Sequence, residues 1–431
     1  MRTRAHRAVI LFTQLIFIHS LWAQARVPLA PLPDLAPLPL SLQLSAMREP
    51  LPVDTIVDAA LQFSGATEAE AAAAKIRLAA LVRRFSDEMV DVTSQVELGE
   101  KALAFLHKNL FTGYSTLQTR VDTALETGIY NCVSSAVLYM VVARSVGLSV
   151  AGVRTTDHAF CTVMINGQPV DVETTNPLGF NPGARKEFTD SFGKATGYAY
   201  VPPGNYQDRQ NIGEKELLGL ILYNRVSESW DVRAYKDALQ PAVSAFTLLG
   251  SDETRKLLAS AFTNYISWLG LRQQFNQAAQ FTDSVKAAFG GIVDIEQPRR
   301  EIYHNWIVSL ISANDYQGAE AILAQPGMRT TLQDSDWTAL SMDVFQLRAQ
   351  SQADTGDYSA AAATVAEGLK KLGRLDELLR SFEVYVHNAV AQLVNARKLT
   401  EARGTVDQGL AVYPDSRMLQ QDLDLLRKAA R

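Results

Sequence analysis

Residues 126–135 read Glu126-Thr127-Gly128-Ile129-Tyr130-Asn131-Cys132-Val133-Ser134-Ser135, and from Cys132 to Val146 the chain is nearly all apolar or small. Gly128 breaks the pattern that precedes it, Asn131 is a good helix N-cap, and Gly147 fits a C-terminal stop. A helix of this composition has no solvated face, so it belongs in the middle of a domain. The segment therefore predicts a buried central helix that starts at a cysteine.

Downstream, three strand-like segments follow: Ser149–Arg154, Ala159–Ile165 and Pro169–Thr174. Asn166-Gly167 between the last two is a two-residue hairpin signal. A buried helix followed by an antiparallel sheet makes an α+β domain. Residues 176–210, rich in Gly and Pro, read as its loop-rich exit. Upstream, Ala66–Phe85 and Val96–Leu110 carry apolar residues at helical spacing. Residues 26–55 contain seven prolines and read as an extended linker or surface arm. Residues 1–25 have the form of a secretory signal: Arg2, Arg4 and Arg7, an apolar stretch from Ala8 to Ile18, and Ala23-Gln24-Ala25. Cleavage is expected after Ala25, giving a secreted or periplasmic protein. No later apolar run reaches membrane-spanning length.

From residue 211 to 431 the pattern is helix after helix. An aromatic or Leu residue is followed three positions later by Ala at Tyr235/Ala238, Phe275/Ala278, Tyr316/Ala319, Tyr358/Ala361 and Leu399/Ala402. The anchors recur at intervals of 40, 41, 42 and 41 residues. They resemble the second helix of a tetratricopeptide repeat, in which a small Ala lets two helices approach. The usual period is about 34 residues, so the extra length implies longer helices or longer loops. The resemblance implies an all-α solenoid whose concave surface binds a protein or peptide.

The chemistry centres on Cys132. A thiol at a helix N-terminus meets unpaired N–H groups and the helix dipole, which favour the nucleophilic thiolate. The same N–H groups can stabilise an oxyanion. His158, in Asp157-His158-Ala159-Phe160, stands at the start of a strand and is the candidate base. On the next strand Asp171 and Glu173 share the strand parity of His158, and either could orient the ring. With a two-residue turn at Asn166-Gly167, Glu173 falls opposite Phe160 and Asp171 opposite Thr162. Cys161 has the opposite parity, so a Cys132–Cys161 disulfide is not expected and Cys161 reads as a buried apolar residue. Tyr114 and Tyr130 read as core aromatics.

The order helix with Cys, strand with His, strand with carboxylate resembles the transglutaminase-like superfamily, a branch of the papain-type cysteine folds. In that family an Asp opposite the second residue after the His orients the ring, so the resemblance favours Glu173 by register and Asp171 by residue type. The resemblance covers about residues 95–180 and places the domain at 56–210. It departs from the family in its longer turn, with Gly128 four residues before Cys132. It implies cysteine-dependent hydrolysis or acyl transfer at an amide of a protein or peptide, recruited by the repeats. The alternative is a domain that keeps this shape without turnover, so that the chain is a scaffold in the cell envelope.

The bulk composition narrows the field. With 47% hydrophobic and 20% charged residues the chain has a globular balance, and a net charge of −5 disfavours non-specific nucleic-acid binding. His107, His304 and His387 lack partners at metal-ligand spacing, and no phosphate loop or dinucleotide fingerprint is found, so neither metal nor cofactor is expected.

Overall fold

Side-chain caps punctuate the N-terminal half of the computed structural model, which describes residues 31–184 and 208–429. The signal segment 1–25 with its cleavage site, and much of the exit loop, lie outside the described residues. Helices α1 (Pro39–Ala46) and α2 (Val53–Ser64) come first. Thr67 then caps α3 (Glu68–Glu88) in a capping box with Glu70, and Ser94 caps α4 (Gln95–Asn109). A two-residue strand β1 (Gly113–Tyr114), helix α5 (Val121–Thr127) and strand β2 (Ile129–Tyr130) lead into α6 (Cys132–Ser145). β1 and β2 pair in parallel. Gly128 ends α5 at φ 76°, and a Cβ there would meet the Leu110 carbonyl oxygen at 2.4 Å, so this turn requires glycine.

Every residue of α6 from Val133 to Ala143 is buried, as its apolar composition predicts. Helices α2 to α5 cover it, and the Tyr139 hydroxyl inside it donates to the Gly99 carbonyl at 3.1 Å. The remaining face meets β3 (Ser149–Arg154) and β4 (Ala159–Ile165). With β5 (Gln168–Val172) and β6 (Gln210–Ile212) these make an antiparallel sheet of order β5-β4-β3-β6. Asn166 (φ 49°) and Gly167 (φ 78°) form the expected two-residue turn, and Thr162 lies opposite Asp171 as counted from it. The ladder ends at Val172, short of the expected Thr174. The Glu173 N–H turns instead to the Gly179 carbonyl at 2.8 Å.

The Pro-rich segment is not an extended arm where it is described. Leu44 and Leu51 are fully buried, and the Leu38 N–H donates to the Ser244 hydroxyl at 2.9 Å. The reason is local: Pro39 occupies the first turn of α1, where no N–H is needed, and the leucines between the prolines supply apolar surface. From Leu32 onward the chain forms one compact unit.

The boundary expected near residue 211 does not separate two cores. Helix α7 (Glu214–Asp231) packs on α2, α6 and β3, with Leu217, Leu218, Ile221 and Leu222 fully buried. Glu214 at its start accepts from Arg144 of α6 at 2.5 Å and from the Leu51 N–H at 2.5 Å. One apolar core runs from Leu44 to Val344, and a second from Phe345 to Leu426.

Beyond α7 the described chain is helical: α8 (Leu239–Leu249), α9 (Asp252–Leu271), α10 (Phe275–Phe289), α11 (Glu296–Ser312), α12 (Tyr316–Leu323), α13 (Met328–Leu332), α14 (Asp334–Asp354), α15 (Tyr358–Leu372), α16 (Asp376–Asn395), α17 (Leu399–Val412) and α18 (Arg417–Ala429). Four of the five sequence anchors, Phe275, Tyr316, Tyr358 and Leu399, are first residues of helices; Tyr235 lies in the turn before α8. Two residues before each anchor the backbone is left-handed, at Arg233, Gln273, Asn314, Gly356 and Arg397. One residue before each anchor an N–H closes back on a carbonyl five residues earlier: Ala234 to Ser229, Gln274 to Leu269, Asp315 to Leu310, Asp357 to Gln352 and Lys398 to Leu393. This is a Schellman turn built five times. The extra length of the period lies largely in the first helix of each pair, since α9, α11, α14 and α16 have 20, 17, 21 and 20 residues.

The alanines of the pattern, Ala238, Ala278, Ala319, Ala361 and Ala402, are all fully buried. Enlarging one forces overpacking. Ala361→Leu is expected to destabilise the protein by about 1–3 kcal/mol in urea melts, whereas Ala363→Leu, exposed on the same helix, should change it by less than about 0.5 kcal/mol.

Candidate active site

The start of α6 is fixed before its cysteine is considered. The Asn131 side-chain oxygen accepts from the Val133 N–H at 3.0 Å and the Ser134 N–H at 2.9 Å, and the Ser134 hydroxyl accepts from the Asn131 N–H at 2.9 Å. The Asn131 amide also donates to the Thr116 carbonyl at 3.2 Å. This refines the sequence reading: two first-turn donors are consumed by the cap. Of the first three N–H groups of α6, only that of Cys132 is not bound by the cap. Cys132 itself is half-buried, and both cysteines are free thiols. Cys161 faces α6, its thiol 3.3 Å from the Ala136 carbonyl.

His158 sits just ahead of β4, and its Nε2 lies 2.7 Å from Glu173 Oε2. The other Glu173 oxygen accepts from the Thr175 N–H at 3.1 Å and the Thr175 hydroxyl at 2.6 Å. With 2% exposure the carboxylate is held on both sides away from water. Cys132 and His158 line the same cavity, and the Cys132 thiol is one of the groups that raise the proton affinity of this ring. Since Nε2 faces Glu173, Nδ1 is the ring nitrogen that the carboxylate does not use. Burial disfavours charge on this ring, but the Glu173 carboxylate and the Cys132 thiol outweigh it. The imidazole therefore holds its proton well above the ordinary histidine range.

Cys132, His158 and Glu173 thus come together, and Asp171 does not join them. Asp171 accepts from Arg209 Nη1 at 2.7 Å and Nη2 at 2.8 Å, and from the Thr162 hydroxyl at 2.9 Å. The ladder explains this, because pairing with Thr162 sets Asp171 two residues further along the sheet than the position opposite Phe160. Arg209 also lies over the Phe160 ring, 5.3 Å from its centroid, and that ring stacks on His158 at 6.2 Å.

The loop that delivers Glu173 is clamped by residues whose part the sequence did not reveal. His107 Nε2 bonds the Thr174 carbonyl at 3.0 Å, the Tyr130 hydroxyl donates to the Thr175 carbonyl at 3.1 Å, and the Ser135 and Thr174 hydroxyls are 2.8 Å apart. Burial pushes the His107 ring down to about 4, so it is neutral at pH 7 and donates from Nε2. Burial, then the Glu173 carboxylate, push the Tyr130 hydroxyl up to about 12. Phe111 packs on both rings, 5.1 Å from His107 and 4.2 Å from Tyr130. Tyr114 packs on Tyr130 at 5.9 Å, which makes both tyrosines core aromatics as read. The one available signal for His107 was its place beside Leu103 and Leu106 on an apolar face of α4. His387, also isolated in sequence, bonds Asp422 at 2.8 Å between α16 and α18. Among the described residues no group of three metal-ligating side chains is gathered.

A cavity of about 600 Å³ opens over Cys132 and His158, bounded by the β3–β4 turn on one side and by α7 on the other. Comparison adds nothing to this geometry: no family model, curated protein or solved structure matches the chain. What the arrangement can do rests on its own chemistry. A thiol at a capped helix end and, lining the same cavity, a ring backed by a carboxylate are residue types suited to a nucleophile, a base and an orienting group.

The His107 ring has a stability consequence. Its folded value of about 4 lies below the ordinary 6.5. The unfolded chain therefore binds a proton first as pH falls, and stability present above pH 6.5 is lost on the way down to pH 4, by at most about 3 kcal/mol. His107→Gln keeps a donor for the Thr174 carbonyl and removes the titration. Its melting temperature should therefore fall less than that of the wild type between these pH values.

Proposed function

We propose that this protein is a cysteine-dependent amide hydrolase or acyltransferase of transglutaminase-like type, with Cys132 as nucleophile, His158 as general base and acid, and Glu173 as the carboxylate that orients the ring. The observation that carries the reading is the 2.7 Å bond between His158 Nε2 and Glu173, on a ring that lines the same cavity as the Cys132 thiol. The element order supports it: a central helix that begins with the cysteine, then the histidine ahead of a strand, then the carboxylate just past the neighbouring strand.

In the proposed reaction the ring already holds a proton on each nitrogen, and the Cys132 sulfur, its own proton given up to Nδ1, attacks the amide carbonyl carbon as the thiolate. Glu173 accepts from Nε2–H throughout and stabilises the imidazolium. The Cys132 N–H is the donor placed nearest the developing oxyanion. The ring then gives its proton to the leaving amine as the C–N bond breaks, leaving a thioester on Cys132. Water or a second amine attacks the thioester, passing its proton to Nδ1, and the thiolate departs. The first route is hydrolysis, the second transamidation.

The rest of the reading follows the sequence. An N-terminal signal sends the protein out of the cytoplasm, and the helical array, read as divergent tetratricopeptide-type repeats, recruits a protein or peptide substrate. No helix among the described residues is long and apolar enough to cross a membrane. The scaffold alternative rested on the undecided carboxylate and on export, since an oxidising compartment threatens a reactive thiol; the His158–Glu173 bond speaks against the first ground and leaves the second.

Alkylation with a peptide chloromethyl ketone tests the assignment. Cys132→Ala should abolish labelling, while His158→Ala and Glu173→Gln should each slow it by about 100-fold or more. Asp171→Asn should slow it far less. Equal labelling of wild type and His158→Ala would end the catalytic reading. The ring should also titrate above the ordinary histidine range in ¹⁵N NMR. Because Glu173 raises its proton affinity, Glu173→Gln should move that titration to lower pH.

A further inference from the structure

The cavity over the Cys–His pair is not enclosed by the α+β elements alone. Its far wall is α7, which contributes Leu220, Tyr223, Asn224 and Ser227, and α9 adds Glu253. The four α7 residues are spaced i, i+3, i+4 and i+7, which is one face of a helix. The neighbouring face, with Leu217, Leu218, Ile221 and Leu222, is buried in the core, so the wall is rigidly held. Asn224 is fixed through its amide, which donates to the Thr119 hydroxyl at 3.1 Å.

The charges around the cavity are unevenly committed. Arg154 at the end of β3 bonds Glu253 at 2.6 Å, Glu216 at 3.5 Å and the Gln210 side chain at 2.9 Å. The His158 ring is paired with Glu173. Among the described lining residues no cation is left uncommitted, while two further carboxylates border the space, Asp157 and Asp208, the latter accepting from the Thr156 N–H and hydroxyl. Oriented Asn, Ser, Thr and Gln side chains beside Leu220 and Tyr223 suit a polar but uncharged chain.

Resting on the cysteine chemistry above, we infer that this face of α7 is the substrate-binding wall of the active site, and that the cleft takes an extended peptide segment without acidic side chains. The helical region is then part of the catalytic site itself, besides any recruiting role. The acyl donor lies between the β3–β4 turn and α7, with its carbonyl carbon at Cys132. Tyr223 and Ser227 set what can lie there.

Two probes separate this inference from the chemistry it rests on: a neutral N-acetyl tripeptide chloromethyl ketone, and the same probe with two Glu residues. Each alkylation rate is measured on the full chain and divided by the rate with iodoacetamide, a reagent too small to need the wall. Ser227 is exposed, so Ser227→Trp fills the cleft at little cost to folding, which a melting curve checks. The ratio for the neutral probe should fall by about tenfold or more in Ser227→Trp and in Tyr223→Ala, with a raised saturation constant KI. The Glu-containing probe should react about tenfold more slowly than the neutral one with the wild type. A ratio unchanged within about twofold in Ser227→Trp, or equal rates for the two probes, would overturn the assignment. The two readings fail separately. A His158→Ala variant that alkylates as fast as the wild type removes the dyad, whereas KI of the peptide probe reports the wall whether or not the ring activates sulfur.

Discussion

A helix with no polar face has to be covered on every side, and α2 to α5, the sheet and α7 are arranged to cover α6. Residues Val133 to Ala143 leave nothing for water, so α2 to α5 pack on one flank, β3 and β4 on another, and α7 closes the remainder. Each fully buried Val, Leu or Met of that helix contributes about 1.5–3 kcal/mol, and the enclosure makes the helix hard to shift. A thiol at its first position is thereby held still relative to the sheet. The polar groups at the buried helix end must also be satisfied, and the Asn131–Ser134 box, with the Thr116 carbonyl, does this locally.

Glu173 poses the opposite problem, since a buried carboxylate needs partners on both oxygens. His158 takes one and Thr175 the other. The loop can supply Thr175 only because His107, Tyr130 and Ser135 hold its carbonyls and hydroxyls from three different elements. The carboxylate, the loop and the aromatic cluster around Tyr130 stand or fall together. Gly179 belongs to the same unit, because a side chain there would collide with the Glu173 carbonyl at 1.9 Å.

The helical region joins this assembly rather than following it. Glu214 links α7 to Arg144 of α6 and to the Leu51 backbone, so the N-terminal segment, the central helix and the first helix of the array meet at one ion pair. Glu214 titrates above the usual carboxylate range, because burial raises it more than the Leu51 N–H and Arg144 lower it. Beyond that junction the array repeats one device, a left-handed residue and a back-bonded N–H before each anchor, with a buried alanine three residues after it.

Much of this was legible in the chain. Local rules gave the buried helix, its Asn cap, the Asn166-Gly167 turn and the pairing of Thr162 with Asp171, because each depends on residues within a few positions of one another. The repeat showed itself because its turn demands the same small and aromatic residues each time. The choice of Glu173 over Asp171 was open in the sequence. It turns on where the ladder stops and on Arg209, which comes from 38 residues further along the chain to claim Asp171. The packing of the Pro-rich segment and the role of His107 were equally hidden, since both depend on partners that only folding brings near. Sequence determines what a segment satisfies within itself. Tertiary structure decides which distant group satisfies the rest, because a buried polar atom accepts whichever partner the packed core sets beside it.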